Sequence, residues 1–96
     1  MIVDGFDLEI EIPLWALEGD GKVIKRDFAF KNFEKAFQFM ILCAKYAEEL
    51  DHHPDWGNSW NKVLVSLTTH SAGTLTKLDI QLAKAMDAFA IQVNQS

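Results

Sequence analysis

Ninety-six residues, 49% of them hydrophobic and 24% charged, suit one folded domain spanning 1–96 with a modest core. The net charge of −5 comes with nine Lys and Arg that form no basic stripe, which speaks against direct binding of DNA or RNA. No apolar run approaches the roughly 20 residues of a membrane span, and the acidic N-terminus lacks the basic region and apolar core of a signal peptide.

The first element is expected at Phe6-Asp7-Leu8-Glu9-Ile10-Glu11-Ile12, which alternates like a strand until Pro13 limits it. Gly19-Asp20-Gly21 is a turn signal. Beyond it, residues 23–30 predict a strand with Ile24, Arg26, Phe28 and Phe30 on one face, Phe28 and Phe30 being core candidates. Asn32 suits a helix N-cap, with Glu34 in the first turn to complement the dipole. From Phe33 the apolar period becomes 3.6. Phe33, Ala36, Phe37, Met40, Ala44 and Ala47 form one stripe, and Phe39, Leu42, Cys43, Tyr46 and Leu50 form another beside it. Two stripes are more than a helix lying on one sheet requires, so the excess is expected to meet another helix or another subunit. The single cysteine, Cys43, reads as a small buried hydrophobe, which fits a reduced, cytoplasmic setting. The helix should stop near residues 51–53, because Pro54 disfavours helical backbone before it.

Residues 61–69 read as a further strand, with Val63, Val65, Leu67 and Thr69 on one face and Leu64, Ser66, Thr68 and His70 on the other. After a loop over 71–75, Thr76-Lys77-Leu78-Asp79 resembles a capping box with Asp in place of Glu or Gln. Leu78, Leu82, Met86, Phe89 and Val93 then form the stripe of a last helix. Strands, helix, strand or strands, helix: the order reads as α+β, a four-stranded antiparallel sheet with helices packed on one face.

The chemistry concentrates in His52-His53-Pro54-Asp55-Trp56 and in His70, which together hold all three histidines. Imidazole titrates near neutrality, so such a set can give and take protons at working pH. Asp79 opens the last helix near them, although its local alternative is to satisfy the amides of that helix. Glu48 lies one turn before His52 on the same helix face and is placed to orient that ring, or is one more solvated acid in Glu48-Glu49. Trp56 and Trp60 suit stacking on a flat heterocycle, or simple packing. A zinc site built from the histidines and Asp79 matches no common ligand spacing. Cys43 has only apolar neighbours, which supply no charge to stabilise a thiolate nucleophile.

Residues 15–86 resemble the pterin-4a-carbinolamine dehydratases. The resemblance is carried by Phe28-Ala29-Phe30-Lys31-Asn32-Phe33, Ala36, Phe39, Tyr46-Ala47-Glu48, His52-His53-Pro54-Asp55-Trp56, Trp60-Asn61-Lys62-Val63, Thr69-His70, Leu75-Thr76 and Asp79. It implies dehydration of 4a-hydroxytetrahydropterin to the quinonoid dihydropterin, which recycles the cofactor of aromatic amino acid hydroxylases, with no metal or cofactor. It also implies that His52, His53 and His70 surround the pterin, that Glu48 and Asp79 position the imidazoles, and that Pro54, Trp56 and Trp60 contact the substrate. A homodimer or homotetramer is expected. The alternative is a non-catalytic interaction module, since some relatives are dimerisation partners of a homeodomain transcription factor. Two departures stand out: the opening segment is short and strand-like, and Gly73 is followed by Thr74 where the family usually has a second Gly. A β-branched residue resists positive φ, so a different loop geometry is expected there.

Overall fold

The computed structural model describes residues 1–95. The chain opens as a small hairpin, β1 (Ile2–Val3) against β2 (Phe6–Asp7), turning through Asp4 and Gly5 at φ of 48° and 88°. Asp7 then accepts the Glu9 N–H at 3.1 Å and starts a one-turn helix, α1 (Leu8–Glu11). The strand expected over 6–12 therefore does not form. Any period of two contains a period of four, and here the latter wins. Leu8 and Ile12, four apart, are buried, whereas Ile10 between them is 76% exposed.

β3 (Ala16–Glu18) and β4 (Val23–Ala29) flank the glycine turn, in which Gly19, Asp20 and Gly21 all take positive φ. β5 (Asp55–Ser59) and β6 (Lys62–Leu67) form a second hairpin, and the sheet runs β3-β4-β6-β5, antiparallel throughout. β5 is the strand that periodicity does not find: Asp-Trp-Gly-Asn-Ser neither alternates nor favours extended structure. β6 is shorter than the expected 61–69, and Thr69 survives only as an isolated bridge to Thr74.

Two 18-residue helices, α2 (Phe33–Leu50) and α3 (Lys77–Asn94), cover one face of the sheet. Asn32 caps α2 through its side chain, and Thr76 with Asp79 forms the expected box on α3. Ile24, Phe28, Val63, Val65 and Leu67 bury the sheet's inner face against Ala36, Phe39, Cys43 and Ala47 of α2. The ring of Phe39 lies 4.7 Å from Phe28 and 4.9 Å from Phe30. From α3 the core takes Leu82, Met86 and Val93, as the stripe predicts, and also Ile80, Ala83 and Ala90. Arg26 is tolerated on the inner face because Asp87 of α3 accepts its guanidinium at 2.5 Å and the Trp15 indole N–H at 2.8 Å, while Arg26 also stacks over Phe28 at 4.2 Å.

The N-terminal hairpin and α1 clasp α3. Asp4 accepts the Lys77 N–H at 2.8 Å and Glu11 pairs with Lys84 at 2.6 Å. Cys43 lies fully inside, and burial pushes its thiol well above its ordinary range. Folded protein should resist alkylation by iodoacetamide at pH 8 and react within minutes once denatured, which mass spectrometry reads directly. The sign for stability follows. The thiol stays protonated when folded and ionises only when unfolded, so this group makes unfolding easier as pH rises past its ordinary value of 9.0.

Candidate active site

The end of α2 decides where the two adjacent histidines go. Asp51 takes a left-handed conformation (φ 52°, ψ 43°), its N–H closes onto the carbonyls of Ala47 and Glu48, and the His52 N–H returns to Ala47 at 3.0 Å. Aspartate is among the non-glycine residues that enter this region more readily. The reversal ends the helical register, so His52 and Glu48 no longer share a face. Glu48 accordingly bonds Nε2 of His53 rather than His52, which corrects the expectation from spacing. The His52 side chain turns inward and is only 10% exposed, whereas that of His53 is 57% exposed.

Inside, His52 Nε2 lies 2.6 Å from Oδ1 of Asp79, which is completely buried. The other oxygen of Asp79, Oδ2, accepts the Thr69 hydroxyl at 2.7 Å and the Thr76 N–H at 2.9 Å. Asp79 thus serves the cap of its own helix and contacts His52 as well. One oxygen serves the capping box and the other meets the imidazole. A buried carboxylate with three donors is compensated in a way that an isolated one is not.

The third histidine enters through Thr69. His70 is its neighbour in the chain, 79% exposed, and its Nε2 stands 3.5 Å from Oδ2 of Asp55, the residue that follows Pro54. His52, His53, His70, Glu48, Asp55 and Asp79 are therefore knitted into one end of the molecule, where α2 ends, α3 begins and β5 starts. Among the described residues, no group of three or more His, Cys, Asp and Glu side chains is arranged to hold a metal ion. Each imidazole instead faces its own carboxylate.

Pro54 and Trp56 lie beside this cluster, both partly buried, with Trp56 opposite Val65 and packed against the core. Trp60 does not. It occupies the tip of the β5–β6 hairpin, 67% exposed and at φ 49°, with Asn58 Nδ2 donating to its carbonyl at 3.1 Å. Five residues of extended chain separate it from Asp55, on the order of 17 Å at the rise of a β-strand. Sequence proximity placed it near the histidines, but the strand carries it to the far end of the sheet. Thr74, by contrast, poses no difficulty. Gly73 alone takes positive φ (67°), and Thr74 accepts the Thr69 N–H at 3.2 Å, so the loop closes without a second glycine.

Spacing alone did not find Asp55 or Thr69 as members of the cluster. Asp55 stands inside the histidine motif, and Thr69 was visible only as an inward-facing position beside His70.

A model of the pterin 4 alpha carbinolamine dehydratase family matches residues 6–89. The chain belongs to this family. A provisionally named pterin-4-alpha-carbinolamine dehydratase of Mesorhizobium japonicum is 52% identical over 79 residues, covering 82% of this chain and 81% of that protein. One of Prochlorococcus marinus, also provisionally named, is 51% identical over 75 residues, covering 78% and 77%. The crystal structure of a transcriptional coactivator/pterin dehydratase from Brucella melitensis superposes with a TM-score of 0.75 at 50% identity, over 80% of this chain and 82% of that one. A pterin dehydratase-like protein identified as a RuBisCO assembly factor of the alpha-carboxysome shares the fold, with a TM-score of 0.70 at 21% identity over 83% and 93%. Helices and strands alike thus follow a dehydratase-family architecture.

Proposed function

We propose that this chain dehydrates 4a-hydroxytetrahydropterin to the quinonoid dihydropterin by histidine acid–base catalysis, without a metal or cofactor. The observation that carries the reading is the pairing of a nearly buried imidazole, His52, with the fully buried Asp79, beside two solvent-facing imidazoles. The reaction breaks the C4a–O bond. The hydroxyl takes up a proton and leaves as water, while a ring N–H of the pterin gives up its proton. Two imidazoles suit these two transfers, because such a ring can both give and accept a proton. His52 and His70 carry them, and His53 with Pro54 and Trp56 binds and orients the pterin. Glu48 holds His53, and Asp79 holds His52. An aromatic amino acid hydroxylase is the natural source of the substrate.

The deciding experiment follows carbinolamine breakdown, generated by such a hydroxylase, with and without this protein in the presence of a chelator. Acceleration that survives chelation supports the proposal; no acceleration by folded protein refutes it.

A second reading, an interaction module of the same fold, is favoured by the outer face of α2. Phe33, Phe37 and Ile41 are each close to half exposed, at 48%, 49% and 48%, and Ile41 borders a groove of about 300 Å³ between α2 and α3. The excess apolar stripe suits association of this helix with a second copy, giving a homodimer or homotetramer. Phe37→Glu combined with Ile41→Glu should lower the molar mass in light scattering to that of a monomer. An unchanged mass would rule this surface out of self-association. The transcription-coactivator and assembly-factor roles belong to the neighbours so named, and the same helix face is where a partner of that kind would dock on this chain.

A further inference from the structure

The hydrogen bonds behind His52 have a direction, and it selects which ring nitrogen does the chemistry. The Leu78 N–H donates to Oγ1 of Thr76 at 3.3 Å. Thr69 and Thr76 share a hydroxyl–hydroxyl bond of 2.8 Å, and the Thr69 hydroxyl donates to Oδ2 of Asp79 at 2.7 Å. A threonine hydroxyl has a single hydrogen. With that of Thr69 given to Asp79, the bond between the two hydroxyls must be donated by Thr76. The series therefore runs one way, from the first turn of α3 through Thr76 and Thr69 to Asp79. A carboxylate at a helix N-terminus, already accepting on its other oxygen, accepts on Oδ1 as well, so the proton in the 2.6 Å contact resides on Nε2 of His52.

Among the described residues, the second ring nitrogen, Nδ1, makes no hydrogen bond. Among the described residues no buried side-chain nitrogen or oxygen lacks a partner, so Nδ1 is reached from solvent. We infer that Thr69 is a positioning residue that fixes His52 as its Nε2–H tautomer, leaving Nδ1 as the nitrogen that exchanges protons with the pterin. The tautomer half stands on geometry alone, and the proton-exchange half rests on the dehydratase reading. Thr69 touches no reacting atom. It acts by holding Oδ2, so that Oδ1 keeps its aim at Nε2.

The two halves are separable by experiment. Long-range ¹H–¹⁵N spectra of the ligand-free protein at pH 8.5 report the tautomer without any turnover. The wild type should show Nε2–H at His52 and a slowly exchanging Thr69 hydroxyl proton in contact with Asp79. Thr69→Val keeps the shape but removes the donor, and should give a mixture of tautomers. Its kcat should fall on the order of tenfold with KM changed less than about twofold, since substrate contacts are untouched. Thr69→Ser restores the hydroxyl and should recover both readouts. An Nδ1–H pattern in the wild type, a missing Thr69 hydroxyl contact, or an unchanged tautomer in Thr69→Val would each overturn the assignment. The wild-type spectra decide it even if Thr69→Val does not fold. Wild-type protein with the expected tautomer but no dehydration would uphold the Thr69 assignment and remove the dehydratase proposal.

Discussion

His52→Ala is expected to lower carbinolamine dehydration by roughly two to four orders of magnitude, the usual range for loss of a positioned proton-transfer group. The effect should fall on kcat. The imidazole removed is nearly buried and held by Asp79, so solvent cannot readily replace it at the same place and orientation. His53→Ala should act differently. That ring is mostly exposed and pairs with exposed Glu48, so its loss should raise KM and reduce kcat modestly. Initial rates measured against carbinolamine concentration separate the two. Equal losses in both variants, or an unaltered rate in His52→Ala, would remove the acid–base assignment given to His52.

The largest expected stability loss belongs to Asp79→Ala. Three donors lose their acceptor at once inside the fold: Nε2–H of His52, the hydroxyl of Thr69 and the N–H of Thr76. Removing one partner of a buried pair costs about 3–5 kcal/mol, much of it the penalty of leaving the others unsatisfied. For a domain of this size that corresponds to a melting temperature lower by more than about 10 °C. Asp79→Asn retains an acceptor for Thr69 and Thr76 and should lose far less stability, while its amide presents a donor toward His52 and reduces activity. Calorimetry on the two variants checks this directly. Similar melting temperatures would mean that Asp79 contributes little to the α3 N-terminus.

Much of this was legible in the residues because local chemistry and tertiary packing agree there. The Asn32 cap, the Thr76–Asp79 box, the inward face of Ile24, Phe28 and Phe30, and the end of α2 before Pro54 each have a short-range cause. The histidine motif has a short-range cause too, since Pro54 and the end of α2 gather the adjacent imidazoles at one end of the molecule. What stayed hidden depends on geometry that spacing does not encode. The alternation over 6–12 fits a strand as well as it fits a capped turn, and only the burial of Leu8 and Ile12 against the rest of the chain separates them. β5 has no propensity of its own and exists because β6 offers it an edge. The partner of Glu48 differs from the one that helical spacing implies because the backbone of Asp51 leaves the helical region.

That one residue has a wider consequence. A single left-handed step at Asp51, with a cost on the order of 1 kcal/mol, sends two consecutive imidazoles into different media. His52 lies mostly in the interior and answers to a buried carboxylate, while His53 belongs to water and answers to an exposed one. The histidine end of the protein consequently has a nearly buried wall and a wet wall only one peptide bond apart. A flat, polar ring resting between them can be desolvated on one edge while it stays hydrated on the other.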